Sequence, residues 1–271
     1  MDNSQAFKRY LDHLVDKFET PEFIALDPIS IPHGYDSPAD QEVIGLFAAL
    51  LAWGQRKTVL NKLAELSERM GFKPHAFVKN FDINRDSERL IGFKHRTFNS
   101  EDAIWLISNL SLLLHRYSSI EKAFATFQNH AELHVGSAIQ GFSDTLFSIG
   151  DGTPRRLRKH LARPSTGSAC KRFCMYLRWM VRPGPVDLGI WQSIPQEKLI
   201  PPLDVHSGRQ ARALGMLERK QDDWKAALEL TNNCRRLCPE DPSRYDYAFF
   251  GAGAYGEELD PQFLKQLPAK K

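Results

Sequence analysis

Residue types and spacing converge on chemistry in Leu199-Ile-Pro-Pro-Leu-Asp204-Val-His206-Ser-Gly-Arg209-Gln-Ala-Arg212. An Asp placed there reads as a helix N-cap, and a helix N-terminus keeps its carboxylate ionised. A fixed anion in a partly dry cleft is also what stabilises a developing cation, so capping and catalysis are compatible duties for Asp204. His206 stands where it could orient that carboxylate or contact a ligand, although a histidine near a helix start is more often a simple hydrogen-bonding residue. Arg209 and Arg212 follow at helical spacing.

A second signal is charge. Between Asp151 and Arg182 stand nine basic residues (Arg155, Arg156, Arg158, Lys159, Arg163, Lys171, Arg172, Arg178 and Arg182) and one acid, Asp151, within a chain whose net charge is only +3. Such a run repels itself unless an anion lies against it; the plainer alternative is a solvated helix face. It surrounds a Gly-containing helix–turn–helix, Leu161-Ala-Arg-Pro-Ser-Thr-Gly167-Ser168-Ala-Cys-Lys171. Gly167 and the small Ser168 let the next helix present free N–H groups, which together with the helix dipole bind phosphate. Nucleic-acid backbone is the expected ligand.

These candidates sit in a chain of 271 residues, 42% apolar and 25% charged, enough for one large domain or two small lobes. The longest apolar run, Val43 to Trp53, is about half of what a bilayer requires, so no membrane partner is expected. Met1-Asp-Asn-Ser-Gln lacks a basic-then-apolar targeting pattern, which leads to an expected cytoplasmic, nucleoid-associated location. The four cysteines form two Cys-x3-Cys pairs, Cys170/Cys174 and Cys234/Cys238. That spacing suits small buried side chains in a reducing compartment better than a shared thiolate site, and no metal or other cofactor is expected.

Helical periods run throughout, and no period-2 run of convincing length appears. Phe7, Leu11, Leu14, Val15 and Phe18 make an opening amphipathic helix, and Ser37-Pro38 starts a buried one that Gly54 interrupts. Further helices are expected over Thr58 to Met70, after Asn99, from Ile120 to Phe127, from Ala138 to Ile149, from Asp204 to Leu214, from Trp224 to Leu237 and from Tyr245 to Ala252. Two short ones flank Pro164. The fold class is all-α.

Three segments resemble the helix-hairpin-helix DNA glycosylase (HhH-GPD) superfamily. Leu203-Asp204-Val-His206 with Arg209 is similar to the segment that carries that superfamily's catalytic Asp. Gly167-Ser-Ala-Cys-Lys171 is similar to the end of its hairpin, whose Lys forms a Schiff base in the bifunctional members. Leu50-Leu-Ala-Trp-Gly-Gln55 is similar to an early helix whose Gln probes the base stack. Lys171 and Asp204 are 33 positions apart, which is nearest the archaeal 8-oxoguanine branch. The chain as a whole, especially Cys170 to Arg182 and Pro239 to Asp246, also resembles a bacterial family of unknown function. Ala169 replaces the second hairpin Gly, Pro164 is displaced from its usual place, and the cluster-binding Cys spacing is missing.

The resemblance implies a two-lobed all-α fold with a cleft between the lobes. Lobe one would span about 1–36 plus 187–271, and lobe two about 37–186 with the hairpin at 157–182. It implies a monomeric base-excision glycosylase acting on double-stranded DNA that holds an oxidised purine such as 8-oxoguanine. Asp204 would stabilise the oxocarbenium-like state, and Lys171 would attack C1′ and open a lyase route. Lys171 as a simple phosphate ligand is the alternative, as is Gln55 as a polar helix-end residue. Trp191, in the Pro/Gly-rich segment 182–195, is the expected stacking wall, with Trp179 a second candidate; Trp53 is not expected to stack. Asp187, in that same segment, is the rival acid. A non-catalytic DNA- or RNA-binding helix-hairpin-helix module is the competing function.

Overall fold

The computed structural model describes residues 3–264, so the outermost residues of the expected first lobe lie outside it. The helices are α1 (Asn3–Phe18), α2 (Pro38–Leu50), α3 (Arg56–Arg69), α4 (Pro74–Lys79), α5 (Ser100–Tyr117), α6 (Ile120–Thr126) and α7 (Gly136–Ser148). After them come α8 (Lys171–Val181), α9 (Val205–Ala213), α10 (Trp224–Leu237) and α11 (Asp246–Tyr255), with shorter helical turns between. The only paired strands among the described residues are β1 (Lys94–His95) and β2 (Phe98–Asn99), an antiparallel two-residue hairpin. The protein is all-α. No helix among the described residues is long and apolar enough to cross a membrane.

Local chemistry explains the helix ends. Ser37 precedes Pro38 at the first position of α2, where a missing N–H costs nothing. Asn99 and Asp102 form a reciprocal capping box on α5, and Asp223 caps α10 through the Ala226 N–H. Pro74, a natural stop for α3, starts α4 instead. Before α8, the expected first arm of the hairpin is a 3₁₀ turn, Arg155–His160, and not an α-helix. Pro154 and Pro164 leave it little length, and the tighter i,i+3 repeat turns Leu157 and His160 together into the core.

Helix α2 is buried along most of its length and packs on α8 and α4, while α5 packs on α4 and α7. On the other side α11 lies against α1 and α9. Small residues permit this closeness: a Cβ at Gly253 of α11 would lie 3.0 Å from the His206 carbonyl oxygen of α9. The start of α8 and the start of α9 are thereby set facing each other.

Candidate active site

Gly167 takes φ 78° and Cys170 φ 50°, two left-handed steps that turn the chain sharply into α8. The Gly167 carbonyl accepts from the Trp224 N–H (2.9 Å), which ties the turn to α10, and the Ser168 hydroxyl accepts from the Cys170 N–H (3.1 Å). Lys171 is the first residue of α8. Across from it, Asp204 caps α9: Oδ1 accepts from the N–H groups of His206 (2.9 Å) and Ser207 (3.0 Å), and the Ser207 hydroxyl accepts from the Asp204 N–H (2.9 Å). The other carboxylate oxygen, Oδ2, lies 3.2 Å from Lys171 Nζ. Burial pushes the Asp204 carboxyl up, but the Lys171 ammonium and the N–H groups of Ser207 and His206 outweigh it and hold it below its ordinary value.

The pair stands in the wall of a cavity of about 430 Å³. Trp53, Phe23 and Phe250 supply aromatic surface; Arg56, Arg178, Asp27, Asp246 and His206 supply the polar groups. Burial raises Asp27 above its ordinary value against the pull of the Ile29 N–H and of Arg178, and pushes Asp246 up to about 7 despite Arg178 beside it. A second cavity of about 620 Å³ shares Trp53 and Lys171 and adds Lys159, His160, Ser168 and Arg172. Trp53 stands between them, with the Arg172 guanidinium 5.1 Å from its ring centroid and His95 at its edge, 4.8 Å away. An apolar pocket with a few converging polar groups and perturbed carboxyls is what a small-molecule or base site looks like.

A family model described as a protein of unknown function, DUF2400, matches residues 27–255. The chain belongs to the DUF2400 family. No curated protein and no solved structure matches it. The DUF2400 match includes Asp27, Lys171, Asp204 and Asp246, so every charged residue of the cavity lies within the family's own region, and of its lining only Phe23 falls outside.

Within this DUF2400 chain the expected residues divide into groups. Lys171, Asp204 and His206 meet at the first cavity, and Lys159, Ser168 and Arg172 at the second. Arg172 also donates to the Leu50 carbonyl (2.7 Å). Gln55 is exposed at the N-cap of α3, beside the cavity-lining Gly54 and Arg56. Gly167 and Arg209 are exposed.

The first arginines of the basic run lie away from both cavities. Arg155 is exposed and lines neither cavity, whereas Arg156 pairs with Glu101 (2.7 Å) and Asp102 (3.0 Å), and Arg158 pairs with Asp144. Acids contributed by α5 and α7 therefore neutralise much of a run that looked uncompensated along the chain.

Trp191 is corrected. Its N–H group on the backbone donates to the Met180 carbonyl (2.8 Å), which folds segment 182–195 back on α8, and its ring packs against Tyr176 (5.3 Å) and Phe124 (5.6 Å) in the core. Trp179 is fully buried. Trp53, not expected to stack, is the tryptophan that faces the cavity, because the chain leaves the core where α2 ends. Asp187 is buried between Arg178 (3.2 Å) and Arg182 (2.6 Å) and is no rival to Asp204. All four cysteines are free and buried, and burial pushes Cys170 up to about 12. The described residues hold no cluster of three His, Cys, Asp or Glu side chains fit for a metal ion.

Asp27, Asp246, Arg178, Trp53 and Phe250 escaped the sequence reading. One signal was available: Lys171, Met175 and Arg178 recur at i, i+4 and i+7, a single helix stripe, and all three line the cavity. No comparable spacing marks Asp27 or Asp246.

Proposed function

We propose that this protein is a DNA glycosylase with lyase activity that removes a damaged base, an oxidised purine such as 8-oxoguanine being the first substrate to test. The observation that carries the reading is the 3.2 Å approach of Lys171 Nζ to an ionised Asp204 in the wall of a cavity with aromatic surface. An extruded base would stack on Trp53 and Phe250 while its sugar stays at the mouth, between the amine and the carboxylate. Asp204, held low by the Lys171 ammonium and by its cap bonds, is suited to facing the positive charge that grows on the sugar as the glycosidic bond breaks. Lys171, its ammonium proton passed to solvent, would bond through Nζ to C1′ as the base departs; the C1′–O4′ bond would then open, O4′ taking a proton from solvent, to give the Schiff base that permits β-elimination.

The backbone of the duplex would lie over the hairpin turn and the second cavity, where Lys159, Arg172 and the start of α8 gather positive charge. The superfamily's two-lobed arrangement, a monomer and an address at the nucleoid belong to this same reading. Purely non-specific phosphate binding is less well served, because the wall of the first cavity carries the ionised Asp204 carboxylate, which repels a phosphate.

Borohydride trapping on a duplex with one 8-oxoguanine tests it. The wild-type chain is expected to give a covalent adduct, Lys171→Gln none, and Asp204→Asn excision lower by about 100-fold or more. A wild-type chain that forms no adduct on damaged or abasic duplexes, and binds damaged and intact DNA alike, would refute the proposal.

A further inference from the structure

Behind the cavity lies a buried ionic cluster that the chemistry above does not use. Arg178 meets Asp187 (3.2 Å) and Asp246; Arg182 meets Asp187 (2.6 Å), Glu19 (2.7 Å) and Asp241 (2.7 Å). Two guanidiniums thus serve four carboxyl groups, and every member is at least nine-tenths buried. An uncompensated buried anion costs several kcal/mol, so a surplus of carboxyls over guanidiniums is relieved by protonating a carboxyl.

The member placed to use such a proton is Asp246. Arg178 is shared by Asp187 and Asp246, and Arg182 by Asp187, Glu19 and Asp241. The other groups that act on Asp246 are Asp204 and Lys171 across the cavity, with the buried thiols of Cys174 and Cys234 also coupled to it. The Arg178 guanidinium carbon lies over the Tyr247 ring, 4.2 Å from its centroid. Among the four acids Asp246 alone lines the cavity.

We infer that Asp246 is the general acid that hands a proton to the departing base, an inference that rests on the glycosylase reading. As the C1′–N bond breaks, its electron pair passes to the ring nitrogen and the Asp246 O–H proton goes to the base, leaving a carboxylate beside Arg178. The sugar cation is captured by the Lys171 amine, forming a C1′–N bond. The positively charged adduct nitrogen then releases one proton, which restores the Asp246 acid. A value of about 7 suits both halves of that cycle near neutral pH. Asp27, the other raised acid in the cavity, has Oδ1 committed to the Ile29 N–H (3.1 Å).

The test compares the wild-type chain with Asp246→Asn and Asp27→Asn under single-turnover conditions. One set of duplexes carries a single damaged base each, 8-oxoguanine first, and another carries a ready-made abasic site, where no base has to leave. Expected are a loss of about 100-fold or more in base excision by Asp246→Asn, with borohydride trapping on the abasic duplex reduced no more than about threefold. Wild-type excision should fall as pH rises through about 7, and Asp246→Asn should lose that limb. The infrared spectrum of the free wild-type chain should show a protonated carboxyl band that Asp246→Asn lacks.

Excision unchanged in Asp246→Asn, excision and trapping lost together, the loss falling on Asp27→Asn instead, or no protonated carboxyl band would each overturn the assignment. A wild-type chain that traps abasic DNA but releases no base would also overturn it while keeping the Lys171–Asp204 chemistry. A wild-type chain that does neither removes the glycosylase reading itself.

Discussion

Two sets of opposite charges lie on the same stripe of α8 and are built in opposite ways. Lys171 and Asp204 make a single contact, with side chains 30% and 19% exposed, at the wall of a cavity. Two turns further along, Arg178 and Arg182 are buried among four carboxyl groups with several contacts each. The second set holds the chain around α8 together, joining Glu19 after α1, Asp187 and Asp241 in loops, and Asp246 at the start of α11. The first set has spare valence and access to a ligand. The Lys171–Asp204 pair is open to a ligand, whereas Arg182 and its partners are closed to one.

The largest effect should follow from breaking the buried set. Arg182→Leu leaves Glu19 and Asp241 without a guanidinium and Asp187 with one of its two, and is expected to lower unfolding free energy by about 3–5 kcal/mol in a denaturant titration. A loss below about 1 kcal/mol would erase the contrast drawn here.

Glu42 sharpens the comparison by separating burial from pairing. It faces the N–H groups of Ile120 and Glu121 in place of a cation, and burial pushes it up to about 7 from an ordinary 4.5. Because the folded state raises this acid, its contribution to stability is complete below about pH 4.5 and is lost as pH climbs through about 7. The shift corresponds to about 3 kcal/mol. Glu42→Gln should therefore be more stable than the wild type at pH 8 and show a flatter stability–pH curve; a less stable Gln variant at that pH would mean that the carboxylate is needed.

Lys171→Gln should change unfolding free energy by no more than about 1 kcal/mol while ending adduct formation. Severe destabilisation by this variant would place the pair with the structural set. The smallest effect concerns the basic run. Arg155→Ala should lower the slope of log affinity against log salt for duplex DNA by about one, and Arg158→Ala by less, because Asp144 already neutralises that side chain. Equal effects would show that DNA displaces the Asp144 pair.

Much of the helical framework was legible along the chain. Apolar periodicity and caps at Ser37, Asn99, Asp204 and Asp223 are local, so α2, α5, α9 and α10 could be read from neighbours within a few positions. Asp204 was legible for the same reason, since its cap bonds close within three residues. The tryptophans were not. Whether a ring faces a cavity depends on what lies opposite it, and of the rings that cover Trp191, Tyr176 lies 15 positions back on α8 and Phe124 lies 67 positions back on α6.

The amino-acid sequence by itself determined the all-α class, the places where most helices begin and end, and the cap that Asp204 makes on its helix, since these rest on short-range hydrogen bonds and periodicity. Tertiary structure alone decided which arginines remain uncommitted, which tryptophan meets the cavity, and that Asp27 and Asp246 join Lys171 and Asp204 there. Charge compensation and burial depend on distances through space, between residues that the chain separates by scores of positions.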